Sequence, residues 1–385
     1  MRFSVDAHAI GQHLTGNEVY IRNLLQRFAA LDKSSEFIAY VAAEEAAAWI
    51  PERFQLRRVS KNPFKRLGWD LPRLIRRDRP DLLHVQYTAP LGRLAPLVVT
   101  VHDVSFIEHP EFFPAARRLQ LRSTVADTVK RAARVLAPSE FSRQSILRHY
   151  NLSSERVVVV PNAVSPGFRP ISREQAVAAV GSKYGIARPY LLMVGDLQPR
   201  KNQLGLVRAF AALLRERPGM PHCLVLVGKE NGYAERVRAE ATRLGVRGRV
   251  HFTGFVPDED LVVLYAGCEI FAFPSFYEGF GIPILEAMAC GRAVACSNTS
   301  AMPEVADGAA ILFDPRSEAD MVRALRDLLL DGELRQRMER LGQQRASQFS
   351  WELSAARTLR VYYDVAENAR RAPAMAVRAA TVTKP

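Results

Sequence analysis

The 385-residue sequence predicts an α/β protein built from two domains, each a parallel sheet covered on both faces by helices. Three observations carry this. Short, continuously apolar runs alternate with helix-period segments, as expected of strands buried on both faces of a parallel sheet. The alternation occurs twice, once on each side of a proline-rich break at Pro161–Pro170. The chain is also longer than one hydrophobic core usually serves.

Taken in order, the first half opens with a strand at Phe3–Asp6 and a glycine loop, Gly11 to Glu18, that enters a helix. That helix carries Tyr20, Leu24, Leu25, Phe28 and Leu31 on one face. Strands follow at Phe37–Val41, Leu82–Gln86, Leu97–Val101, Val135–Ala137 and Val157–Val160, with helices at 115–133 and 140–150. The second half places strands at Tyr190–Gly195, Cys223–Val227, Val250–Phe252, Ile270–Phe273, Ala293–Cys296 and Ala310–Phe313. The domains are expected at 1–161 and 189–350, joined by a linker at 162–188. An amphipathic helix at 351–367 and a disordered tail at 368–385 complete the chain.

Composition narrows the function classes. An apolar fraction of 48% and a charged fraction of 24% suit a soluble globular protein. No apolar run reaches the length of a membrane span, and Met1–Asp6 lacks a signal-peptide core, so a cytoplasmic protein is expected. Cys223, Cys268, Cys290 and Cys296 lack metal-ligand spacing and fit buried, reduced thiols. The net charge is +13, and residues 61–79 set seven cations against two carboxylates, interleaved with Phe64, Leu67, Trp69, Leu71, Leu74 and Ile75. Such a stretch is either a solvated helix face or a surface for an anionic bilayer. No nucleic-acid-binding motif accompanies it, so nucleic acid is not an expected partner.

In parallel α/β folds ligands bind at the carboxyl ends of strands, and the chemistry-bearing residues gather there. The Gly11–Glu18 loop suits a diphosphate. His102-Asp103 follows the fourth strand, as a structural cap or as a site pair. Arg200-Lys201 follows the strand at Tyr190–Gly195; cations at a helix start oppose its dipole, so a bound anion is one reason to keep them there. The stretch from Ser275 to Gly291 runs strand, glycine turn, proline at a helix start, helix and closing glycine, which is an anion cradle framed by Glu278 and Glu286. Carboxylates beside such a cradle suit hydroxyl groups, although each alone is equally a helix-end charge. Asp258-Glu259-Asp260 has the form of a metal-binding Asp-x-Asp, but it follows Pro257 at a helix start and is expected to cap that helix. No metal and no cofactor are expected.

Glu278-Gly279-Phe280-Gly281 followed by Glu286-Ala-Met-Ala-x-Gly291 resembles the signature of the family 4 retaining glycosyltransferases. The resemblance extends over residues 3–366. Val99 to Phe106 with His109 to Phe113 resembles that family's acceptor-side motif, and Pro199 to Asn202 its Glu-Pro-Arg-Lys-Asn string, with Gln198 where glutamate is frequent. Many relatives carry an arginine near the position of Asp196. The resemblance implies the GT-B fold, two Rossmann-like, doubly wound parallel-sheet domains facing a central cleft, with the 351–367 helix crossing back to the first. It implies His102, Glu278, Lys201 and Arg200 as catalytic residues, and Gly16, Val256, Gly279, Phe280, Gly281, Ile282 and Glu286 as donor-binding ones. Asp103, His109 and Glu111 are implied on the acceptor side.

The activity so implied is retaining transfer of a hexose from a nucleotide diphosphate sugar to a hydroxyl of a saccharide or lipid-linked saccharide. The Val101-His102-Asp103 and Arg200-Lys201-Asn202 forms look like bacterial mannosyltransferases of surface-polysaccharide assembly, hence GDP-mannose; UDP-sugars and GDP-rhamnose remain open. Contact with the inner face of the cytoplasmic membrane would fit the basic first half. A sugar-nucleotide epimerase, a phosphorylase and a catalytically silent scaffold are rival readings. A dehydrogenase is not supported, because no Gly-x-Gly-x-x-Gly follows either opening strand.

Overall fold

The computed structural model describes residues 1–12 and 16–371 in full, together with the helical course of residue 15 and residues 372–382. It divides into two compact units, Met1–Asn162 with Trp351–Pro385, and Ala163–Ser350.

The first unit holds seven parallel strands: β1 (Arg2–Asp6), β2 (Glu36–Val41), β3 (Phe54–Arg58), β4 (Leu82–Gln86), β5 (Leu97–Thr100), β6 (Arg134–Ala137) and β7 (Val157–Val159). Their order is β3-β2-β1-β4-β5-β6-β7, so the winding reverses between β1 and β4. Phe3 lies opposite both Phe37 and Leu82, which fixes the register at that point. Edge strand β3 went unexpected because only Phe54 of its five residues is buried, so it has no apolar run, and its two arginines blunt the sheet edge. An aromatic row of Phe28, Phe37 and Phe54 stacks under the sheet with centroids 5.9 and 5.0 Å apart.

The Trp351–Val382 helix belongs to this unit and buries Trp351, Ala355, Tyr362 and Ala366. Tyr362 meets Phe3 edge-on at 5.2 Å. Disorder was expected from residue 368, but 368–371 are helical and Arg370 bonds Asp81 at 2.8 Å. The rest of that tail, 372–385, lies outside the fully described residues.

The second unit holds six parallel strands: β8 (Tyr190–Val194), β9 (Cys223–Val227), β10 (Val250–Gly254), β11 (Ile270–Phe273), β12 (Ala293–Ser297) and β13 (Ile311–Phe313). Their order is β10-β9-β8-β11-β12-β13, with the reversal between β8 and β11. All four cysteines are buried and unpaired in disulfides.

The segment expected to be a linker is instead part of this unit. Its helix, Arg173–Tyr184, is capped by Ser172 and closed by Gly185 at φ +67°. It buries Ala176 and Val180, and Tyr184 donates to Asp260 at 2.8 Å. Its apolar face is made of small residues, too weak a signal to outweigh the prolines around it. Asp258, Glu259 and Asp260 occupy the first turn of the Asp258–Gly267 helix, but Pro257 holds the cap position and no side chain caps it. Asp260 instead accepts from Tyr184 and pairs with Lys183 at 2.5 Å. The expected capping role is therefore replaced by a tether, which also complements the helix dipole.

At the carboxyl ends of the neighbouring strands β8 and β9, glycines let the chain approach closely. A Cβ on Gly228, at φ +146°, would lie 2.3 Å from the Gly195 carbonyl oxygen. Gly228→Ala is therefore expected to lower the stability of this unit by about 3 kcal/mol. Gly219→Ala, where an added Cβ meets nothing within 4 Å, should be near neutral. Urea denaturation of the two variants tests this; equal midpoints would refute it.

Candidate active site

The second unit gathers its charged candidates at the carboxyl ends of β8 and β11. After β8 the chain turns through Gly195 and a 3-10 turn, Pro199–Lys201, into the Gln203–Glu216 helix. Asn202 stands at φ +58° and caps that helix through Gly205 N–H. A Cβ on Gly195, at φ +151°, would lie 3.3 Å from the Lys201 side chain, so the lysine runs back along the strand end. Its Nζ sits 5.0 Å from the centre of the Phe273 ring.

After β11, residues 275–281 form the glycine turn. Glu278 is 8% exposed, and its carboxylate meets Lys201 Nζ at 2.7 Å and Arg200 Nη1 at 3.1 Å. Arg200 also donates to the Tyr277 carbonyl, and Phe276 N–H donates to the Arg200 carbonyl at 2.9 Å. Ser300 accepts from Glu278 N–H at 3.0 Å. Burial opposes ionisation of Glu278, but the charges of Arg200 and Lys201 outweigh it and draw its pKa down to about 2. Burial lowers the Lys201 pKa, and Glu278 opposes that shift.

Gly281, at φ +103°, precedes the Ile282–Ala289 helix, which no side chain caps. Gly279, Phe280 and Ile282 are buried around that start, and Phe280 packs edge-on against Phe349 at 5.7 Å. One turn on, Glu286 is 7% exposed and accepts from Tyr265 OH at 2.9 Å. Among the described residues no cation pairs with it, and burial raises its pKa to about 7. Val256 is buried in the turn after β10, beyond Gly254 at φ +71°. The structure thus brings Arg200, Lys201 and Glu278 together directly. Asp196, where relatives often carry arginine, accepts from Lys229 N–H at 3.1 Å.

In the first unit, His102 follows β5 and places Nε2 2.8 Å from Gln86 Oε1 at the end of β4. Tyr20 meets its ring edge-on at 4.8 Å. Burial pulls the His102 pKa down to about 4 against the opposing charge of Asp103, so the imidazole is neutral at physiological pH. Asp103 Oδ1 accepts from Ser105 N–H at 2.8 Å and from its hydroxyl at 2.6 Å, which is a turn-capping role. His109 pairs with Glu111 at 2.9 Å and stacks on Phe112. Gly16 is an exposed second residue of the Thr15–Leu31 helix. Residues 13 and 14 of its loop lie outside the described residues. Gly11 N–H donates to Glu18 at 2.9 Å across that loop.

Sequence reasoning missed the groups that hold these residues. Asp6, buried at the end of β1, pairs with His8 at 3.0 Å and lies 3.6 Å from buried Arg66. A carboxylate at a strand's carboxyl end was a readable signal; the partnership with Arg66 was not. Among the described residues, no cluster of three His, Cys, Asp or Glu side chains is placed to hold a metal ion.

The two glutamates respond oppositely to pH. Glu278 has a depressed folded pKa, so its contribution is complete above the ordinary carboxylate range and fades only as pH falls toward 2. Glu286 has a raised one, so its contribution is complete below about 4.5 and is lost as pH rises through about 7. That loss amounts to about 3 kcal/mol. Glu286→Gln should therefore gain on the parent protein as pH rises from 5 to 8. Denaturant midpoints across that range test this, and a gap that fails to widen would show that Glu286 stays ionised.

Comparison with known proteins places these features in a family. Residues 14–168 match the model described as Glycosyltransferase Family 4, and residues 183–345 match Glycosyl transferases group 1. The chain is 37% identical over 273 residues to O-antigen chain mannosyltransferase B of Escherichia coli, covering 70% of this chain and 71% of that one. It is 30% identical over 400 residues to D-inositol 3-phosphate glycosyltransferase of Streptomyces avermitilis, covering 92% and 84%. The solved structure of Anabaena Alr3699/HepE in complex with UDP and glucose shares the fold, with a TM-score of 0.75 at 20% identity over 94% of this chain and 99% of that one. With both halves matched and its two parallel-sheet units of the GT-B kind, the chain belongs to the group 1, family 4 glycosyltransferases.

Proposed function

We propose that this glycosyltransferase moves a hexose, mannose from GDP-mannose, to a hydroxyl of a glycan or lipid-linked saccharide in bacterial surface-polysaccharide assembly, with retention at the anomeric carbon. The observation that carries the reading is the buried Arg200–Glu278–Lys201 cluster beside the uncapped Ile282–Ala289 helix. The similarity to an O-antigen chain mannosyltransferase supports the choice of sugar and pathway class.

As the bond from the anomeric carbon to the diphosphate oxygen breaks, the sugar becomes cationic and the diphosphate gains negative charge. Arg200, Lys201 and the helix start take up that charge without reorganising, because they are already fixed in place. Glu278 stays ionised and is suited to orient sugar hydroxyls, while Glu286 takes the ribose. His102, as a neutral imidazole, is suited to hydrogen-bond a sugar hydroxyl without adding positive charge. In this reading the acceptor oxygen bonds to the anomeric carbon on the face the diphosphate leaves, and its proton passes to the departing phosphate oxygen. No carboxylate pair is needed.

A second acceptor class, a cyclitol phosphate, is favoured by the similarity to a D-inositol 3-phosphate glycosyltransferase. Turnover assays with each acceptor separate the two.

GDP at about a hundred times its dissociation constant should add about 2.7 kcal/mol to the folded state. In Lys201→Ala that stabilisation should disappear, and kcat/KM should fall by about 10²–10³-fold. Stabilisation by UDP alone would keep the enzyme class and overturn GDP-mannose. No stabilisation by any nucleotide, with no turnover, would return the scaffold reading. A product of inverted anomeric configuration by NMR would refute retention.

A further inference from the structure

We propose that the helical segment 63–78 and the neighbouring loop at 90–94 form a docking surface for an anionic lipid bilayer, with Phe64, Trp69 and Leu91 entering the headgroup region among Lys61, Lys65 and Arg73.

These three apolar side chains are 79%, 67% and 69% exposed. They come from two chain segments held together, since Leu91 N–H donates to the Leu67 carbonyl at 3.3 Å. Backbone geometry also groups them. An α-helix would set Phe64 and Trp69 about 140° apart, but residues Arg66–Asp70 form a π turn. Its i to i+5 bonding swings Trp69 back toward the side that bears Phe64. A tryptophan and a phenylalanine displayed together are costly in water and suited to a membrane interface.

The charges select the partner. Lys61, Lys65, Arg73, Arg76 and Arg93 are exposed, and no acidic side chain pairs with them among the described residues. The two carboxylates of the stretch are spent elsewhere. Asp70 accepts from Ser60 N–H at 2.8 Å, and Asp78 pairs with Arg57 and Arg77. An apolar patch rimmed by uncompensated cations fits a surface that is both anionic and oily.

The display is held from beneath. Asn62 caps Phe64 and Lys65 N–H at 2.9 and 3.3 Å, and Leu71, Leu74 and Ile75 are buried in the core. Arg66, on the same turn as Trp69, points inward to Asp6 at the carboxyl end of β1. The patch is thereby tied to the sheet reversal of its own unit, where ligands of such folds bind. Resting on the proposed transferase reading, this geometry favours a lipid-linked acceptor.

Co-sedimentation of the whole chain with phosphatidylcholine vesicles, with and without phosphatidylglycerol, tests the surface. Binding is expected only with phosphatidylglycerol and should fall with salt. Phe64→Ser with Trp69→Ser should weaken it by about tenfold or more, while transfer to a soluble saccharide acceptor stays unchanged. In a Trp49→Phe background, where the other remaining tryptophan, Trp351, is buried, emission should shift to the blue on vesicle addition as Trp69 leaves water. Equal binding to neutral vesicles, or undiminished binding by the double variant, would overturn the proposal. So would a dimer, seen by ultracentrifugation, that the double variant abolishes, because the patch would then belong to a second copy. Intact vesicle binding without transfer to any acceptor would instead count against the functional reading.

Discussion

A carboxylate withdrawn from water is tolerated only when cations and hydrogen-bond donors reach it, and Glu278 meets that condition through two neighbours in sequence on a different strand end. Much of the second unit follows from the requirement. Arg200 and Lys201 must leave β8 at the level where Glu278 leaves β11, which the strand order allows because β8 and β11 pair directly at the reversal. Glycine at 195 makes room for the lysine, and glycine at 228 lets the neighbouring strand end close up behind it. The Phe276-to-Arg200 backbone bond then locks the two turns in register. Removing one cation would leave the other to compensate a buried charge alone, so the cluster is a structural commitment.

The first unit reaches the same end by neutral means. Tyr362, His84, Thr100 and Tyr20 form a buried chain, with Tyr362 OH 2.5 Å from His84 Nδ1, Thr100 Oγ1 2.7 Å from His84 Nε2, and Tyr20 OH 2.8 Å from Thr100 Oγ1. Burial, with His102 nearby, draws the His84 pKa to about 3 against the opposing charge of Asp6, so this hydrogen-bonded chain is itself neutral. The chain joins the C-terminal helix to the ends of β4 and β5, and Tyr20 passes the constraint to the His102 ring. Satisfied buried polar networks of this kind specify one arrangement among many apolar alternatives. The return of the C-terminal helix to the first sheet is thus tied to the position of His102.

What was legible in the sequence divides along the same lines. Continuously apolar runs announced twelve of the thirteen strands, because burial on both faces demands them. The glycine turn and the adjacent cations stood out by composition, and the structure brings them together through Arg200, Lys201 and Glu278. Contacts between distant segments were not legible. Nothing in Arg66 marks it as the inward partner of Asp6, and nothing in Tyr265 marks it as the donor to Glu286. The helix at 173–184 was read as linker because its buried face is two small side chains, and Asp260 was read as a cap because its true partners lie 76 and 77 residues earlier.

Glu278 and Glu286 show how one turn and one helix give two carboxylates different chemistries. They are eight positions apart and similarly buried, so solvent exposure does not separate them. The difference is the partner. Two cations hold Glu278 as an anion, whereas a single phenol leaves Glu286 close to neutral. An anionic carboxylate can only accept hydrogen bonds, while a carboxyl that exchanges its proton near physiological pH can accept or donate. Under the proposed reading this suits their places. The group nearest the departing diphosphate must never release a proton demand of its own, since Arg200 and Lys201 would then face an unbalanced pair of charges. The group at the ribose gains from adapting to whichever hydroxyl geometry the nucleoside presents. Divergence of the two pKa values therefore follows from where β8 ends relative to β11, and this is set by the fold before any ligand binds.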